Sequence, residues 1–171
     1  MDSNIGIGVP LYDQLEGLSD SSRIWVWQSP QELNQSQVER IQAVMGEFIP
    51  QWASHSRELS ARSIVYLNRF VLVALDQEVS HAASGCSIDS LTHVITQLSA
   101  ELNIDLLDRT HFCFKKEDIV SCIHMNVLSD RVSAGEIDNR SLVFNPLIAS
   151  KKELLSKWLL PIGESWHKRF M

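Results

Sequence analysis

The stretch Phe70-Val71-Leu72-Val73-Ala74-Leu75 is apolar at every position. A strand without polar side chains has both faces covered, as a central strand of a sheet does. It follows Asn68-Arg69, where asparagine tolerates the left-handed backbone of a tight turn. The residues from 61 up to this turn are rich in β-branched and aromatic types, so residues 61 to 76 are predicted to form two strands joined as a hairpin.

A predicted strand and helix precede this hairpin. Arg23-Ile24-Trp25-Val26-Trp27-Gln28 is short and apolar on both faces, which favours a first strand. Asn34 and Gln37 have the spacing of a capping box, which marks a helix start. An apolar stripe at steps of three and four then follows, formed by Val38, Ile41, Met45, Phe48 and Trp52.

A second helix and hairpin follow it. The second helical stripe begins beyond a polar loop and consists of Ile88, Leu91, Ile95, Leu98 and Leu102. Thr110 to Phe114 and Ile119 to His124 predict two further strands around a polar turn at Lys115-Lys116-Glu117-Asp118. In the remaining residues the pattern predicts a short helix, a strand and a second helix, near 125–134, 141–144 and 150–160.

The order strand, helix, strand, strand, helix, strand predicts an α+β fold of the ferredoxin-like kind. This split β-α-β core has an antiparallel sheet with both helices on one face. We assign residues 1–22 to an N-terminal extension, 23–124 to the core and 125–171 to a C-terminal β/α appendage packed on it. Together they are expected to form a single domain.

Length and composition exclude several classes of protein. At 171 residues, with 44% apolar and 21% charged residues, the chain suits one globular domain and contains no run long enough to span a membrane. Residues 1–22 hold no lysine or arginine, so no secretory signal is predicted and the cytoplasm is the expected location. Three cysteines, an odd number, favour reduced thiols. The net charge of −6 argues against nucleic acid as a partner.

The most pointed chemical motif is Ser84-Gly85-Cys86-Ser87-Ile88-Asp89-Ser90. It places a thiol at the start of the second predicted helix, with Ser87 as the expected cap and Asp89 in the first turn. Unpaired backbone N–H groups and the positive end of the helix dipole favour a thiolate there. Cys86 is therefore the candidate nucleophile, although packing against Leu91 as a small apolar residue is the structural alternative, and Asp89 would oppose thiolate formation.

In the predicted topology, three loops lie at the same end of the sheet as Cys86. They would bring His55 and His81 close enough to act as its base. Backbone N–H groups at the helix start could also hold an anion or a developing oxyanion. The residues expected to bind such a ligand are Ser84, Gly85, Ser87, Asp89 and Asp76. The alternative is that both histidines are ordinary exposed loop residues and Asp76 ends a strand.

The second hairpin offers a rival cluster. With its turn centred on Lys116-Glu117, His111 would lie opposite Cys122 and Cys113 opposite Val120, with His124 on the same face. Nitrogen and sulfur ligands of this kind suit zinc, but the spacing is not one that zinc sites use, so no metal is predicted. The two cysteines are instead expected on a partly covered face, beneath the appendage. A second protomer closing the open sheet face is a further alternative, which predicts a homo-oligomer.

Known cofactor motifs are missing from the sequence. It contains no G-x-x-x-x-G-K-[ST], no dinucleotide fingerprint, no H-E-x-x-H and no G-x-S-x-G. Phosphate-binding loops and standard hydrolase sites are therefore excluded. No cofactor is predicted.

Five segments together resemble an uncharacterised family of small bacterial cytoplasmic proteins, some of which are labelled transporter ATPases. They are Ser22-Arg23-Ile24-Trp25, Gln51-Trp52-x-x-His55, Asn68-Arg69-Phe70, Ala83 to Asp89 (A-S-G-C-S-I-D) and Leu142-Val143-Phe144-Asn145. The similarity spans the chain from about residue 19. It implies a single cytoplasmic domain and directs attention to Cys86, but it supplies no activity, and the missing phosphate-binding loop gives the ATPase label no support.

Three functions follow from these observations. The favoured one is a small-ligand or anion site at the loop end around Cys86. The second is a thiol-dependent enzyme that uses Cys86 with His55 or His81. The third is a self-associating interaction module whose sheet face mediates contact, with no nucleic acid or membrane as partner.

Overall fold

The computed structural model describes residues 10–79 and 82–171. Its helices and strands in chain order are α1 (Leu11–Gln14), β1 (Arg23–Gln28), α2 (Gln35–Phe48), β2 (Ala53–Ser54), β3 (Arg57–Glu58), β4 (Ala61–Tyr66), β5 (Phe70–Leu75), α3 (Gly85–Glu101), β6 (His111–Lys116), β7 (Ile119–His124), α4 (Leu128–Ser133), β8 (Leu142–Phe144), α5 (Lys151–Lys157) and β9 (Leu159–Pro161). The fold is mixed α+β with antiparallel sheets, as the sequence predicts. Among the described residues, no helix is long and apolar enough to cross a membrane.

The first sheet is built around β5. Its strand order is β1-β5-β4, and β5 is antiparallel to both neighbours. All six residues of β5 are completely buried. The turn from β4 to β5 uses left-handed backbone at Leu67 and Asn68, with φ of 53° and 47°. The predicted hairpin and its central second strand are therefore confirmed.

Both long helices cover one face of this sheet. Side chains of α2 and α3 pack with Trp27, Val71, Val73 and Leu75 in one core cluster. Helix α2 begins with the predicted capping box, in which the Asn34 side chain accepts from the Gln37 amide and the Gln37 side chain accepts from the Asn34 amide. The apolar stripes of the two helices thus face the side of β5 on which odd-numbered residues lie.

A second sheet covers the opposite face. Its strand order is β7-β6-β8-β9, and Cys113, Phe144 and Trp158 from this half pack against Phe70, Leu72 and Ala74 of β5. Strands β6 and β7 come from the predicted core, whereas β8 and β9 come from the predicted appendage. The sheet face that was expected to be open is therefore covered by the chain's own C-terminal half.

In a ferredoxin-like sheet the strand after the second helix lies next to the first strand, but here that strand, β6, pairs with β7 and β8. The edge of β1 is instead met by residues 149 and 150, through a bridge from Arg23 to Ser150. The physical reason is that β6 is buried on both faces at residues 112–114. Phe112 and Phe114 pack in a third cluster with Leu128, Val143 and Ile162, so β6 needs cover on both sides.

Phe70 links the two halves, which leads to a stability prediction. Its ring centroid lies 4.6 Å from that of Phe144 and 5.0 Å from that of Trp158. Replacing Phe70 by Ala should lower the free energy of unfolding by about 3–5 kcal/mol, because a fully buried ring leaves a cavity. Urea denaturation followed by circular dichroism measures this loss. Leu147→Ala, at a residue 61% exposed, is the control and should change stability by less than about 0.5 kcal/mol.

Candidate functional site

Cys86 lies in the first turn of α3 and is exposed. The helix begins at Gly85, and its cap is Ser84, whose side chain accepts from the Ser87 amide at 3.2 Å. The prediction that Ser87 is the cap is therefore wrong, because Ser87 Oγ donates to the Ser84 carbonyl from inside the helix. Because the helix starts earlier than predicted, Asp89 lies beyond the first turn. The first turn itself contains no acidic residue.

The β2–β3 hairpin packs against this end of α3. The Trp52 indole, just before β2, donates to the Ser87 carbonyl at 2.8 Å. His55 lies exposed at the tip of the hairpin, with a left-handed φ of 51°. His81 lies outside the described residues. Within the described chain, the Cys86 thiol makes no hydrogen bond, so its pairing with a histidine base stays a prediction.

Asp76 has a clear structural role. It is buried at the end of β5, and its carboxylate accepts from the Glu78 amide at 3.0 Å and the Val79 amide at 3.4 Å. These bonds close the turn that begins the loop to Cys86. Ligand binding by Asp76, Ser84, Gly85, Ser87 and Asp89 stays a prediction.

Two cavities lie away from Cys86. One, of about 80 Å³, lies between α2 and β4 and is lined by Ile41, Met45 and Ser63 among others. The other is a shallow depression of about 420 Å³ at the C-terminal end of α3, around Ser99 and Asn103. Neither is lined by a residue of the predicted site.

The second hairpin has a different register from the predicted one. Its turn is centred on Glu117-Asp118, so that Cys113 lies opposite Cys122 and His111 opposite His124. The left-handed backbone of Glu117, with φ of 53°, allows this two-residue turn. The prediction that His111 faces Cys122 and Cys113 faces Val120 is therefore wrong. The four side chains do share one face, as expected.

Cys113 and Cys122 form a disulfide across the two strands. Their Cα atoms are 4.0 Å apart, the close spacing of a cross-strand pair that exchanges no backbone hydrogen bonds. The expectation of reduced thiols throughout is thus wrong for two of the three cysteines. With these sulfurs joined, the hairpin does not present them as metal ligands, and no group of three or more His, Cys, Asp or Glu residues in the described ranges is placed to hold a metal ion.

Arg69 lies against this disulfide. The residue is only 6% exposed, and its guanidinium donates to the carbonyls of Ser29, Pro30 and Val120 at 3.0–3.3 Å. Its Nη1 is 3.5 Å from Cys122 Sγ. Among the residues described, no carboxylate forms an ion pair with it. Burial lowers the pKa of Arg69, against a weaker opposing effect of Glu32.

Further polar groups are buried around the same point. Gln28 Nε2 donates to the His111 carbonyl at 2.7 Å, while Gln28 Oε1 and Ser29 Oγ are buried without a hydrogen-bond partner among the described residues. Cys122 Sγ is 3.9 Å from the Ser29 carbonyl. Cys113 is a buried member of the apolar core, and Cys122 is partly buried against the same cluster. Cys122 differs in having Arg69 and the Ser29 carbonyl beside its sulfur.

From the sequence, Arg69 was predicted only as a turn residue. Its position was informative, however, because Arg69 directly precedes a wholly apolar strand. When such a strand is buried, the residue before it is buried as well. The pairing of Cys113 with Cys122 depends on the centre of the β6–β7 turn. Moving that centre by one residue moves the cross-strand partner of each residue by two positions.

His167 is a second buried titratable group. Its Nδ1 is 2.7 Å from Ser165 Oγ, and its ring stacks on Trp166 and meets Phe112 edge-on. Burial, together with the nearby charge of Arg169, lowers the pKa of His167 to about 4. Neither of the two cavities is lined by Ser165 or His167.

The pKa of His167 predicts how stability depends on pH. An unfolded histidine takes up a proton near pH 6.5, whereas His167 in the folded protein does so only near pH 4. Stability is therefore full above about pH 6.5 and falls as the pH drops toward 4, by about 2 kcal/mol at pH 5. Urea denaturation at pH 7.5 and pH 5 measures this. His167→Gln should remove that part of the loss, and an equal loss in the variant would contradict the assignment.

Exposure predicts which cysteine reacts. Without reductant, iodoacetamide should label Cys86 in the folded protein and leave Cys113 and Cys122 unmodified, because only the first thiol is free and exposed. Peptide mass spectrometry locates the label.

The rate of labelling tests the role of His55. If His55 is the base of a thiol enzyme, labelling of Cys86 at pH 7 should be faster in the folded protein than in the urea-unfolded chain, and it should be slower in His55→Ala. Equal rates in the folded protein, the variant and the unfolded chain would remove the enzyme hypothesis.

No family model, curated protein or solved structure matches this chain significantly. The resemblance to small bacterial proteins therefore stays a prediction.

Proposed function

We propose that this protein is a thiol–disulfide redox protein whose centre is the Cys113–Cys122 pair, with Arg69 adjusting its chemistry. The observation that carries the proposal is the buried guanidinium 3.5 Å from Cys122 Sγ, without a carboxylate ion pair in the described residues. A buried cation is costly unless an anion compensates it. Reduction of the disulfide supplies such an anion, since Cys122 can then ionise to a thiolate.

The charge of Arg69 affects the redox equilibrium. A nearby cation stabilises a thiolate, and stabilising the reduced form makes the disulfide a stronger oxidant. The buried hydroxyl of Ser29, which has no partner among the described residues, adjoins the carbonyl that contacts Cys122. A reduced Cys122 therefore has one charged donor beside it, the Arg69 guanidinium, whereas the Ser29 carbonyl can accept a hydrogen bond only from the protonated thiol.

The position of the pair connects redox state to the fold. The disulfide joins two strands of the second sheet where that sheet meets β5, and Arg69 immediately precedes β5. Opening the bond would change the contact between Arg69 and β7 without removing the pairing of β6 with β8. If the protein resides in the cytoplasm, as we propose from the sequence, a disulfide there is more often redox-active than structural.

Equilibrium reduction tests this function. In a Cys86→Ser background, the protein is incubated in glutathione redox buffers, and thiols are trapped with a maleimide and counted by mass spectrometry. Near-UV circular dichroism in the same buffers reports the fold. We expect reversible two-electron reduction of the folded protein. A bond that opens only after unfolding in denaturant would identify a structural staple and overturn the proposal.

Substitution of Arg69 isolates its charge. Arg69→Gln should make the disulfide harder to reduce by about tenfold in the equilibrium constant, or about 30 mV, while Arg69→Lys should retain most of the effect. Equal equilibrium constants in the three proteins would show that the guanidinium plays no part.

Other expectations from the sequence keep the status of proposals. We propose that the first sheet with α2 and α3 is a split β-α-β unit, which the position of β5 between β1 and β4 supports. The small-ligand or anion site around Cys86 and self-association stay predictions.

A further inference from the structure

We infer that Cys122 is the sulfur that exchanges with an incoming thiolate, and that the thiolate reaches it from the outer edge of β7 beside Arg69. This inference rests on the proposed redox function and specifies its partner, a small thiol, and its direction of attack.

The strand order sets the direction of attack. Strand β7 is at the edge of the second sheet, and β6 lies inside it, between β7 and β8. The bond between the sulfurs therefore runs from an inner strand to an edge strand. A thiolate attacks a disulfide in line with the bond, from the far side of the sulfur it joins. Attack on Cys122 comes from the edge, whereas attack on Cys113 would have to pass over β8.

Burial points to the same sulfur. Cys113 is 0% exposed and lies in the core between the sheets, whereas Cys122 is partly exposed. A small thiol can therefore contact Cys122 without disrupting the core. Burial makes Cys113 the poorer leaving group, because an apolar environment disfavours its thiolate, so the preference for Cys122 rests on access to the sulfur.

Arg69 lies on the path of approach. Its Nη2 is 3.3 Å from the carbonyl oxygen of Val120, two residues before Cys122 on the edge strand. Val120 occupies the same kind of cross-strand position as Cys122, so its carbonyl points away from β6 and out of the sheet edge. The guanidinium at that edge attracts the incoming thiolate and, later, stabilises the departing one.

The exchange balances in two steps. A thiolate RS⁻ forms a bond to Cys122 Sγ, the bond between Cys122 and Cys113 breaks, and Cys113 leaves as a thiolate that takes up the proton released by the attacking thiol. A second thiol loses its proton to solvent, its thiolate attacks the sulfur of the bound R group, and Cys122 leaves as a thiolate beside Arg69. The protein disulfide is reduced by two electrons, and two RSH are oxidised to RSSR.

Trapping the intermediate identifies the attacked sulfur. Oxidised Cys86→Ser protein is mixed with reduced glutathione and quenched with N-ethylmaleimide during the reaction. Trypsin cleaves after Lys115 and Lys116, which separates Cys113 from Cys122. We expect glutathione on the Cys122 peptide and maleimide on the Cys113 peptide, in at least tenfold excess over the reverse. Glutathione mainly on Cys113, or equally on both, would overturn the inference.

Single-cysteine proteins provide an independent rate comparison. In the Cys86→Ser background, Cys113→Ser leaves Cys122 and Cys122→Ser leaves Cys113, and each reacts with glutathione disulfide over a range of pH. For each protein the rate in the folded state is divided by its rate in denaturant, and this ratio should be at least tenfold larger for Cys122 than for Cys113. The reaction of Cys122 should also continue at a pH so low that an ordinary thiol is fully protonated and unreactive. Adding Arg69→Gln should remove the persistence at low pH, and Arg69→Lys should restore it. A Cys122 rate equal to that of Cys113, or unchanged by Arg69→Gln, would contradict the assignment.

The two proposals fail separately. A disulfide that opens only in denaturant overturns the redox function itself. Reversible reduction with glutathione trapped on Cys113 leaves the redox function standing and overturns only the choice of sulfur.

Discussion

The complete burial of β5 is the constraint on which the rest of the structure depends. An apolar strand between two antiparallel neighbours satisfies its backbone, but both of its faces still need apolar cover. Helices α2 and α3 cover one face, and the second sheet with α5 covers the other. The C-terminal half is therefore an integral layer of the fold, because without it Phe70, Leu72 and Ala74 would face water.

The same constraint places a cation in the interior. Arg69 directly precedes β5, so burial of the strand brings the guanidinium to the junction of the two sheets. Backbone carbonyls of Ser29, Pro30 and Val120 accept its hydrogen bonds, which compensates part of the lost hydration. Among the described residues no carboxylate forms an ion pair with this charge, and Cys122 Sγ, 3.5 Å away, is a group in direct contact whose ionisation would compensate it. The proposed redox chemistry thus follows from how the fold is packed.

The fold was predictable where the pattern was local. The period-3.6 stripes, the Asn34 capping box and the all-apolar strand each depend on neighbouring residues, and each was found as predicted. The Cys86 segment was placed correctly at a helix start, although Ser84 rather than Ser87 caps the helix, because both serines are residue types that favour the N-cap position. The hairpin register was missed because several turn centres fit the polar run 115–118, and cross-strand packing selects among them.

The sequence by itself determined the central strand, the two long helices and the position of Cys86 at a helix start, since these follow from local periodicity and capping. Only the tertiary structure decided that β6 joins a second sheet, that Cys113 meets Cys122, and that Arg69 lies beside them. Arg69 and Cys122 are 53 positions apart, the pairing of the cysteines depends on strand register, and the place of β6 depends on burial between layers. The physical reason is that the local sequence pattern determines which face of each helix or strand is apolar, whereas the packing of the whole chain determines which element covers that face.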